Sequence, residues 1–498
     1  MFSRKKVVVA DVCIIVEGSY PYVAGGVSSW VHELIESQPN LKIHLLILLA
    51  QNSDRKLKYT LPPNVIGTTE IILQSLPSGK KRLPNSALIA QQIELTLNNL
   101  MHSGGFEDLK ELINILSKYK GKIGQEFLIN SPEAWKMLLR MYNREFSHCS
   151  FLDYFWTWRG LLGGMYSVLQ GELPEAKVYH SVSTGYAGLY LARAKIETGR
   201  PAILTEHGIY TNERHIEIAM ADWLHEEDRS LEGMAVDSSK RNIRHLWMQS
   251  FQSYSRACYS ACDRIITLFG GNQKFQLHDG AQRSLMEIIP NGVDYERYET
   301  LQNEQRGNSF VVALIGRVVP IKDIKTYIRA IARVKEVIPE IRAYVLGPFD
   351  EDPEYYCECI QLTNHLGIQE ELNFTGRVDL TQWMERIDIN VLTSISEGQP
   401  LVILEAGAAG IPTISTDVGA CREMIEGDSR ETPSLGHGGI VVPLSSPLAT
   451  ADAIIQLLSD PKLLRSAGKN LQERVRRYYN KDDLQEKYQS LYNQYIDQ

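Results

Sequence analysis

The sequence predicts an α/β protein of two doubly wound domains, each a parallel sheet flanked by helices, with a helical insertion in the N-terminal domain. Three observations predict this fold class. Short β-rich runs alternate with helical patterns in both halves of the chain, strand signals vanish between about residues 76 and 173, and a polar stretch at 301–309 follows a turn-rich segment. We therefore predict an N-terminal domain at 1–300, a C-terminal domain at 309–480 and a final helix at 481–498.

The first strand is predicted at residues 7–16, a β-branched run that ends in a glycine loop. The preceding Arg4-Lys5-Lys6 raises the competing interpretation of a signal peptide. Asp11 interrupts the apolar run, however, and no small-residue cleavage site follows it. The other strands of this domain are predicted at 43–49, 178–182, 202–205, 264–268 and 286–289, with helices at 27–37 and 187–198 among them.

The insertion shows helical patterning broken by Gly104-Gly105, Gly121 and Pro132. Its aromatic run at 151–158 is more typical of a packed core than of a sugar-stacking platform, so we predict that these side chains are buried. The C-terminal domain then repeats the alternation of strand and helix. Its strands are predicted at 311–315, 341–346, 372–375, 389–394, 412–416 and 439–442.

Composition narrows the possible functions. The chain has 498 residues, and its net charge of −8 argues against a sequence-independent nucleic-acid binder, which needs a basic face. The seven cysteines, an odd number without Cys-x2-Cys spacing, indicate reduced thiols in a cytoplasmic protein and no metal site. No run of about eighteen apolar residues predicts a transmembrane helix. Any association with a membrane is therefore expected to go through partner proteins.

Two glutamates surround one predicted helix start in the C-terminal domain. Glu397 follows the strand predicted at 389–394, the chain turns through Gly398 and Pro400, and the helix that opens at Leu401 carries Glu405. The free amides of a helix amino end favour an anion such as phosphate. A carboxylate on either side can accept hydrogen bonds from hydroxyl groups, so the arrangement suits a sugar, a diphosphate and a ribose in a row.

Cations follow another strand of the same domain. The run at 310–323 reads as a buried strand, a glycine turn at Gly316 and a helix start, which places Arg317 and Lys322 at the carboxyl end of the strand. A planar guanidinium and a mobile ammonium are natural partners for a diphosphate.

The N-terminal domain contributes two candidate segments. Residues 17–32 contain the glycine pair Gly25-Gly26 before a helix, and residues 205–211 place His207 at the end of a strand. A lone histidine after a strand is usually a packed or capping residue. The flanking Glu206 and Gly208 favour a functional His207.

These motifs resemble known enzymes. The spacing of Glu397 and Glu405 resembles the E-x7-E element of retaining GT-B glycosyltransferases of family 4, and the segments 17–32 and 205–211 resemble PelF-type enzymes of Pel exopolysaccharide biosynthesis. The resemblance runs from about residue 7 to about residue 480. It implies a GT-B fold, in which two facing domains bind ligands at the carboxyl ends of their strands and the last helix crosses back to the first domain.

The resemblance also implies a role for each site residue. Glu397 would lie near the donor sugar, Glu405 would bind the ribose and His207 would lie beside the reacting carbon. The remaining donor-binding positions would contact the diphosphate and its surroundings; they are Gly25, Gly26, Gly316, Arg317, Lys322, Gly398, Pro400 and Leu401.

The implied function is metal-independent transfer of a sugar, with retention, from UDP-glucose or a UDP-N-acetylhexosamine to a polysaccharide. No cofactor is expected, and the partners would be inner-membrane proteins of polysaccharide synthesis and export. We interpret Asp350-Glu351-Asp352 as a solvated turn and not as a metal motif. Two alternatives remain open: a nucleotide-sugar epimerase on the same scaffold, and a catalytically silent binding subunit of a polysaccharide synthase complex.

Overall fold

The computed structural model describes residues 9–18, 20–23, 25–51, 55–102, 104–212, 243–301, 310–428 and 431–497. The chain forms two compact units. The first comprises residues 1–267, 273–287 and 489–498, and the second comprises residues 268–272 and 288–488. Residues 302–309 of the linker predicted at 301–309 lie outside the described residues, as do residues 7 and 8 of the predicted first strand.

The first unit is built on a sheet of seven strands in the order β3-β2-β1-β4-β5-β6-β7, in which the neighbouring strands from β3 to β6 pair in parallel. The strands are β1 (Ala10–Glu17), β2 (Ile43–Leu49), β3 (Val65–Ile72), β4 (Ala176–Ser181), β5 (Ala202–Glu206), β6 (Arg264–Thr267) and β7 (Met286–Ile288). Its helices are α1 (Gly26–Glu36), α2 (Ser86–His102), α3 (Phe106–Ser117), α4 (Gln125–Leu128), α5 (Pro132–Met141), α6 (Phe151–Gln170), α7 (Tyr186–Thr198) and α8 (Ile243–Ala261), with a π-helical turn at Tyr142–Phe146 and a 3-10 turn at Arg283–Leu285.

The second sheet has six parallel strands in the order β10-β9-β8-β11-β12-β13. They are β8 (Val311–Ile315), β9 (Arg342–Leu346), β10 (Leu372–Gly376), β11 (Ile389–Leu392), β12 (Thr413–Thr416) and β13 (Gly439–Val442). The later helices are α9 (Gly270–His278), α10 (Tyr295–Glu299), α11 (Ile324–Val337), α12 (Pro353–His365), α13 (Leu380–Met384), α14 (Leu401–Ala408), α15 (Cys421–Glu426), α16 (Pro447–Ser459), α17 (Pro461–Tyr478) and α18 (Lys481–Ile496), with a 3-10 turn at Pro320–Lys322.

The predicted α/β fold class is confirmed, and the apolar strand runs explain it. In β8, Val312 and Leu314 face one core while Ala313 and Ile315 face another, so helices cover both sides of the second sheet. Strand β3 is absent from the predicted strands. It lies at an edge of the first sheet, and only Thr69 and Ile71 of its residues are buried, so it lacks the continuous buried run of an inner strand.

The chain between β3 and β4 is helical, as predicted, and its side chains form the largest core of the first unit together with α7 and α8. The prediction that the aromatic run at 151–158 is buried holds only for one face of α6. Tyr154 and Trp158 are buried, whereas Leu152 and Trp156 are 62% and 60% exposed. No helix among the described residues is both long and apolar enough to cross a membrane.

A buried ion pair fastens α17 to the chain that follows α15. The Arg474 side chain is 1% exposed and donates to the Glu431 carboxylate, whose side chain is 6% exposed. Arg474 also donates to the carbonyl oxygens of Ile425 at 2.8 Å and Gly436 at 2.6 Å. All of these acceptors belong to the second unit, so the Arg474 side chain stabilises the fold of that unit.

We therefore expect Arg474→Met to lower the free energy of unfolding by about 3–5 kcal/mol, because it leaves the Glu431 charge buried without its partner. Urea unfolding measures the loss. Arg476→Met is the matched control on the same helix: Arg476 is half exposed and pairs with Glu473, so its loss should cost at most about 1 kcal/mol. Equal losses in the two variants would contradict the structural role of Arg474.

Candidate functional site

Three loops of the second unit leave the carboxyl edge of its sheet and are fastened to one another. The Thr393 hydroxyl, after β11, donates to the carbonyl oxygen of Lys322, after β8, at 2.9 Å. The Thr416 hydroxyl, at the end of β12, donates to the carbonyl oxygen of Ser394 at 2.6 Å. Because these bonds join backbone to side chain across three strands, the predicted site residues in the loops are held in fixed relative positions.

The loop after β12 packs directly on the segment that carries Glu397. Gly419 has a φ of +53°, and a Cβ there would lie 2.2 Å from the carbonyl oxygens of both Glu397 and Gly398. The amide of Ala420 donates to the Gly398 carbonyl at 2.8 Å. Only glycine fits this close backbone approach. Gly419 is not among the residues predicted from the sequence, although a glycine three residues after a buried strand is a visible signal.

The structure brings Lys322 and Glu397 together as an ion pair. The two side chains are 17% and 14% exposed, so the pair is largely shielded from water. Their contact is not among the sequence-based predictions, which assign the two residues separate roles. The ammonium can exchange the carboxylate for a phosphate, which leaves the carboxylate able to accept hydrogen bonds from hydroxyl groups.

Arg317 also has an acidic partner, but in a more open place. It pairs with Glu351, and both side chains are about half exposed. Asp352 accepts from the amide of Tyr355 at 3.0 Å and so caps the first turn of α12. Among the described residues, no group of three or more His, Cys, Asp or Glu side chains is placed to hold a metal ion.

The amino end of α14 follows Glu397 directly. Pro400 is its N-cap residue and no side chain caps the helix, while Leu401 is half buried. Gln399 fixes the entry to the helix, since its side chain accepts from the amide of Asn291 at 2.7 Å and donates to the Asn291 carbonyl at 3.3 Å. An uncapped helix start that follows a shielded Lys–Glu pair is well suited to an anion.

Glu405 lies inside α14 beside helix α10. Burial raises the pKa of its carboxyl, and the opposing effects of Arg297 and of a hydrogen bond from the Tyr298 hydroxyl keep that rise in check. Burial also raises the pKa of Tyr298 to about 12, with the Glu405 charge adding to the effect. Arg297 and Tyr298 are not among the residues predicted from the sequence, because they lie more than a hundred residues earlier in the chain.

In the first unit, Glu206 serves the fold. Its side chain is 1% exposed and burial raises the pKa of its carboxyl, against the effect of its hydrogen bonds. Four groups donate to it: the hydroxyls of Thr184 at 3.0 Å and Tyr259 at 2.7 Å, the amide of Tyr210 at 3.3 Å and the side chain of Gln276 at 2.9 Å. These bonds anchor the end of β5, and so they position the next residue, His207.

His207 is different, because neither of its buried ring nitrogens has a hydrogen-bond partner among the described residues. The edge of the ring meets Trp30 of α1, with 4.4 Å between ring centroids. Burial lowers the pKa of His207 to about 4, so the ring is neutral near pH 7. A buried polar group without a partner is costly, and a substrate that supplied the partner would remove this cost.

A second histidine supports this region and was missed from the sequence. His180, at the end of β4, is fully buried, and its ring nitrogens form hydrogen bonds with the hydroxyls of Tyr492 at 2.6 Å and Thr205 at 2.8 Å. Burial lowers the pKa of His180 to about 3. The ring lies edge-on to Trp30 at 6.3 Å, so it fixes the indole that contacts His207.

The glycine pair at the start of α1 has no steric reason among the described residues. Gly25 is extended, with φ and ψ both at 172°, and a Cβ at either Gly25 or Gly26 would meet no described atom within 4 Å. Packing does not require a glycine at position 316 either, since a Cβ there would make only an ordinary contact of 3.6 Å with the Lys322 side chain. Bare backbone at these positions suits the close approach of a ligand.

Comparison with known proteins agrees with the architecture. Residues 10–284, more than half of the chain, match the family model of a domain of unknown function, DUF3492. Residues 309–460 match the model of glycosyl transferases group 1.

Two curated relatives and one solved structure illustrate the likeness. N-acetyl-alpha-D-glucosaminyl L-malate synthase of Bacillus anthracis is 24% identical over 55% of this chain and 68% of its own length. UDP-Gal:alpha-D-GlcNAc-diphosphoundecaprenol alpha-1,3-galactosyltransferase of Escherichia coli is 22% identical over 66% and 77%. The crystal structure of Anabaena HepE in complex with UDP superposes with a TM-score of 0.59 at 16% identity, over 97% of this chain and 100% of that one. This likeness confirms the GT-B fold.

Proposed function

The chain belongs to the DUF3492 family and carries a glycosyl transferases group 1 domain, and we propose that it is a retaining glycosyltransferase of Pel-type exopolysaccharide synthesis. In this proposal it transfers a hexose or an N-acetylhexosamine from a UDP-sugar to the growing polysaccharide. The observation that carries the proposal is the shielded Lys322–Glu397 ion pair, which the chain continues into the uncapped start of α14.

The diphosphate of the donor would take the place of Glu397 as the partner of Lys322. The free amides at the start of α14, from Leu401 onward, would bind its oxygens, and Arg317 would leave Glu351 to add a second cation. Negative charge on this diphosphate grows as the sugar departs. Cations held ready in a shielded place therefore stabilise the transition state more than the ground state.

The two glutamates would divide the rest of the donor. Glu397, released from Lys322, would accept hydrogen bonds from the sugar hydroxyls, and Glu405 would accept them from the ribose. The contact of Glu405 with Tyr298 supports this placement, since the tyrosine hydroxyl holds the carboxylate in one orientation while one oxygen remains to accept.

The acceptor side would use His207. As a neutral ring with no partner among the described residues, it can form a hydrogen bond with a sugar hydroxyl beside the reacting carbon. In the transfer, the bond between the anomeric carbon and the phosphate oxygen breaks. The acceptor oxygen bonds to the same face of that carbon, and its proton passes to the departing phosphate. No carboxylate nucleophile and no metal ion are needed in this scheme.

The acceptor, the partner proteins and the cellular placement belong to the proposal as well. We propose a cytoplasmic enzyme that works with inner-membrane proteins of polysaccharide synthesis and export. Two relatives support UDP as the nucleotide, since HepE was crystallised in complex with UDP and the Escherichia coli galactosyltransferase is named for a UDP-linked sugar.

A thermal shift screen of nucleotide sugars tests the donor class. We expect UDP-glucose or a UDP-N-acetylhexosamine to raise the melting temperature, because a ligand at a hundred times its dissociation constant stabilises the fold by about 2.7 kcal/mol. GDP-sugars and ADP-sugars at equal concentration are the controls. An unchanged melting temperature with every UDP-sugar would contradict the donor assignment. Binding of a UDP-sugar without any turnover would favour the alternative of a catalytically silent binding subunit.

Removing either cation should slow the transfer. We expect Lys322→Ala and Arg317→Ala each to lower turnover by on the order of 10² or more, because each loses stabilisation of charge in the transition state. Lys325→Ala is the control: Lys325 pairs with Glu358 on the neighbouring helix and should leave turnover unchanged. Steady-state kinetics with the donor found by the screen decides, and wild-type turnover in Lys322→Ala would remove its diphosphate role.

The two glutamates should differ in their effect on UDP alone. Glu405→Ala should weaken UDP binding by about 1–3 kcal/mol, since it loses a charged partner of the ribose. Glu397→Ala should slow transfer without weakening UDP binding, because the sugar is absent from UDP and the freed Lys322 remains available to phosphate. Isothermal titration calorimetry with UDP measures both variants. The reverse pattern would mean that the donor lies along this segment in the opposite direction.

A further inference from the structure

Two loops of the helical insertion bring six basic side chains to one place on the surface. The amide of residue 80 donates to the carbonyl oxygen of residue 122 at 2.7 Å, which ties the loop before α2 to the turn after α3. All six side chains are exposed, and none of them forms an ion pair with a described residue. They are Lys80, Lys81, Arg82, Lys118, Lys120 and Lys122.

The insertion has a positive net charge, whereas the net charge of the whole chain is negative. Residues 76–173 contain eleven Lys or Arg and nine Asp or Glu, a net charge of +2 in a chain whose net charge is −8. Several acidic side chains of the insertion are already engaged: Glu94 pairs with Arg140, Glu107 with Lys110, and Glu126 accepts from Asn130 at 3.1 Å. The six cations therefore face solvent as a concentrated positive patch.

Exposed apolar side chains lie on a helix that touches the same loop. Leu152 and Trp156 stand one turn apart on α6 and are 62% and 60% exposed. Trp135 of α5 is 46% exposed and packs edge-on against Phe151 and Phe155, with ring centroids 5.8 Å and 6.1 Å apart. Large apolar groups that remain in water beside one another mark a binding surface.

The stripe on α6 continues to the basic loop. Gly160 and Gly163 follow Trp156 at positions i+4 and i+7, and both lie against Gln74, whose side chain donates to the Gly160 carbonyl at 3.1 Å. Lys80 follows Gln74 by six positions, a span of at most about 20 Å. Because Gln74 joins α6 to the loop that carries the cations, we treat the indole and the cations together and call them the basic-aromatic surface.

We propose that the basic-aromatic surface, formed by these six cations with Trp135, Leu152 and Trp156, docks the protein directly on a bilayer that contains anionic lipid. Five of the six cations are lysines. Flexible ammonium groups suit the diffuse negative charge of a lipid surface, whereas fixed phosphate recognition favours arginine. Indole rings prefer the interface between headgroups and acyl chains. The attachment is peripheral and independent of the proposed sugar transfer, and it replaces the expectation that only partners bring the protein to a membrane.

The test uses the full-length protein and vesicle flotation. We expect binding to vesicles of phosphatidylcholine mixed with phosphatidylglycerol, no binding to phosphatidylcholine alone, and loss of binding as sodium chloride is added. Each basic side chain near an anionic surface contributes about a five-fold gain in binding. The triple variant Lys118→Gln, Lys120→Gln, Lys122→Gln should therefore bind on the order of 10²-fold more weakly.

The second unit offers a matched control for charge. Lys462, Arg465 and Lys469 are exposed cations on α17 that form no ion pair with a described residue, so their replacement by glutamine should leave vesicle binding unchanged. Equal losses in the two triple variants would show attraction by net charge alone and would overturn the proposal.

The aromatic part is tested separately. Leu152→Ser with Trp156→Ser should weaken vesicle binding several-fold while keeping its dependence on salt, and these side chains are exposed enough that the fold should survive. Leu448→Ser, at a residue 51% exposed in the second unit, is the control. Equal binding to neutral and anionic vesicles would overturn the proposal. So would binding to soluble heparin without binding to either vesicle, which would assign the surface to a dissolved polyanion.

Discussion

The candidate site of the second unit depends on the ion pair between Lys322 and Glu397. Their side chains are less than a fifth exposed, and neither charge would be stable in that place alone. Each residue therefore neutralises the other, and a substitution at one changes the state of its partner. Effects at such a pair are not additive, so they describe the pair and not two independent contributions.

Backbone contacts keep that pair in place. Thr393 and Thr416 bind carbonyl oxygens of the neighbouring loops, and the missing side chain of Gly419 lets its loop lie directly on Glu397. The site is built from loops, yet these loops are braced by the three strands that precede them. This arrangement combines the variety of loop sequences with the precision of a rigid sheet.

In the first unit, two adjacent buried polar side chains differ in whether they have hydrogen-bond partners. Glu206 has four donors around its carboxylate, so its burial is satisfied and serves the fold. His207 has no described partner at either ring nitrogen, although its buried neighbour His180 has a hydroxyl at each. The contrast separates a carboxylate whose hydrogen bonds hold the structure together from an imidazole ring that finds no hydrogen-bond partner among the described residues.

The sequence alone determined the α/β class and the inner strands, because a strand buried on both faces must be a continuous apolar run; the inner strands β2 and β8 have the predicted bounds. It also determined which residues follow those strands. Only the tertiary structure decided which of these residues contact one another. Lys322 and Glu397 are 75 residues apart, and nothing in either segment specifies the contact. Likewise only packing decided that Trp158 is buried and Trp156 exposed, since opposite faces of an aromatic helix look alike until a neighbour covers one of them.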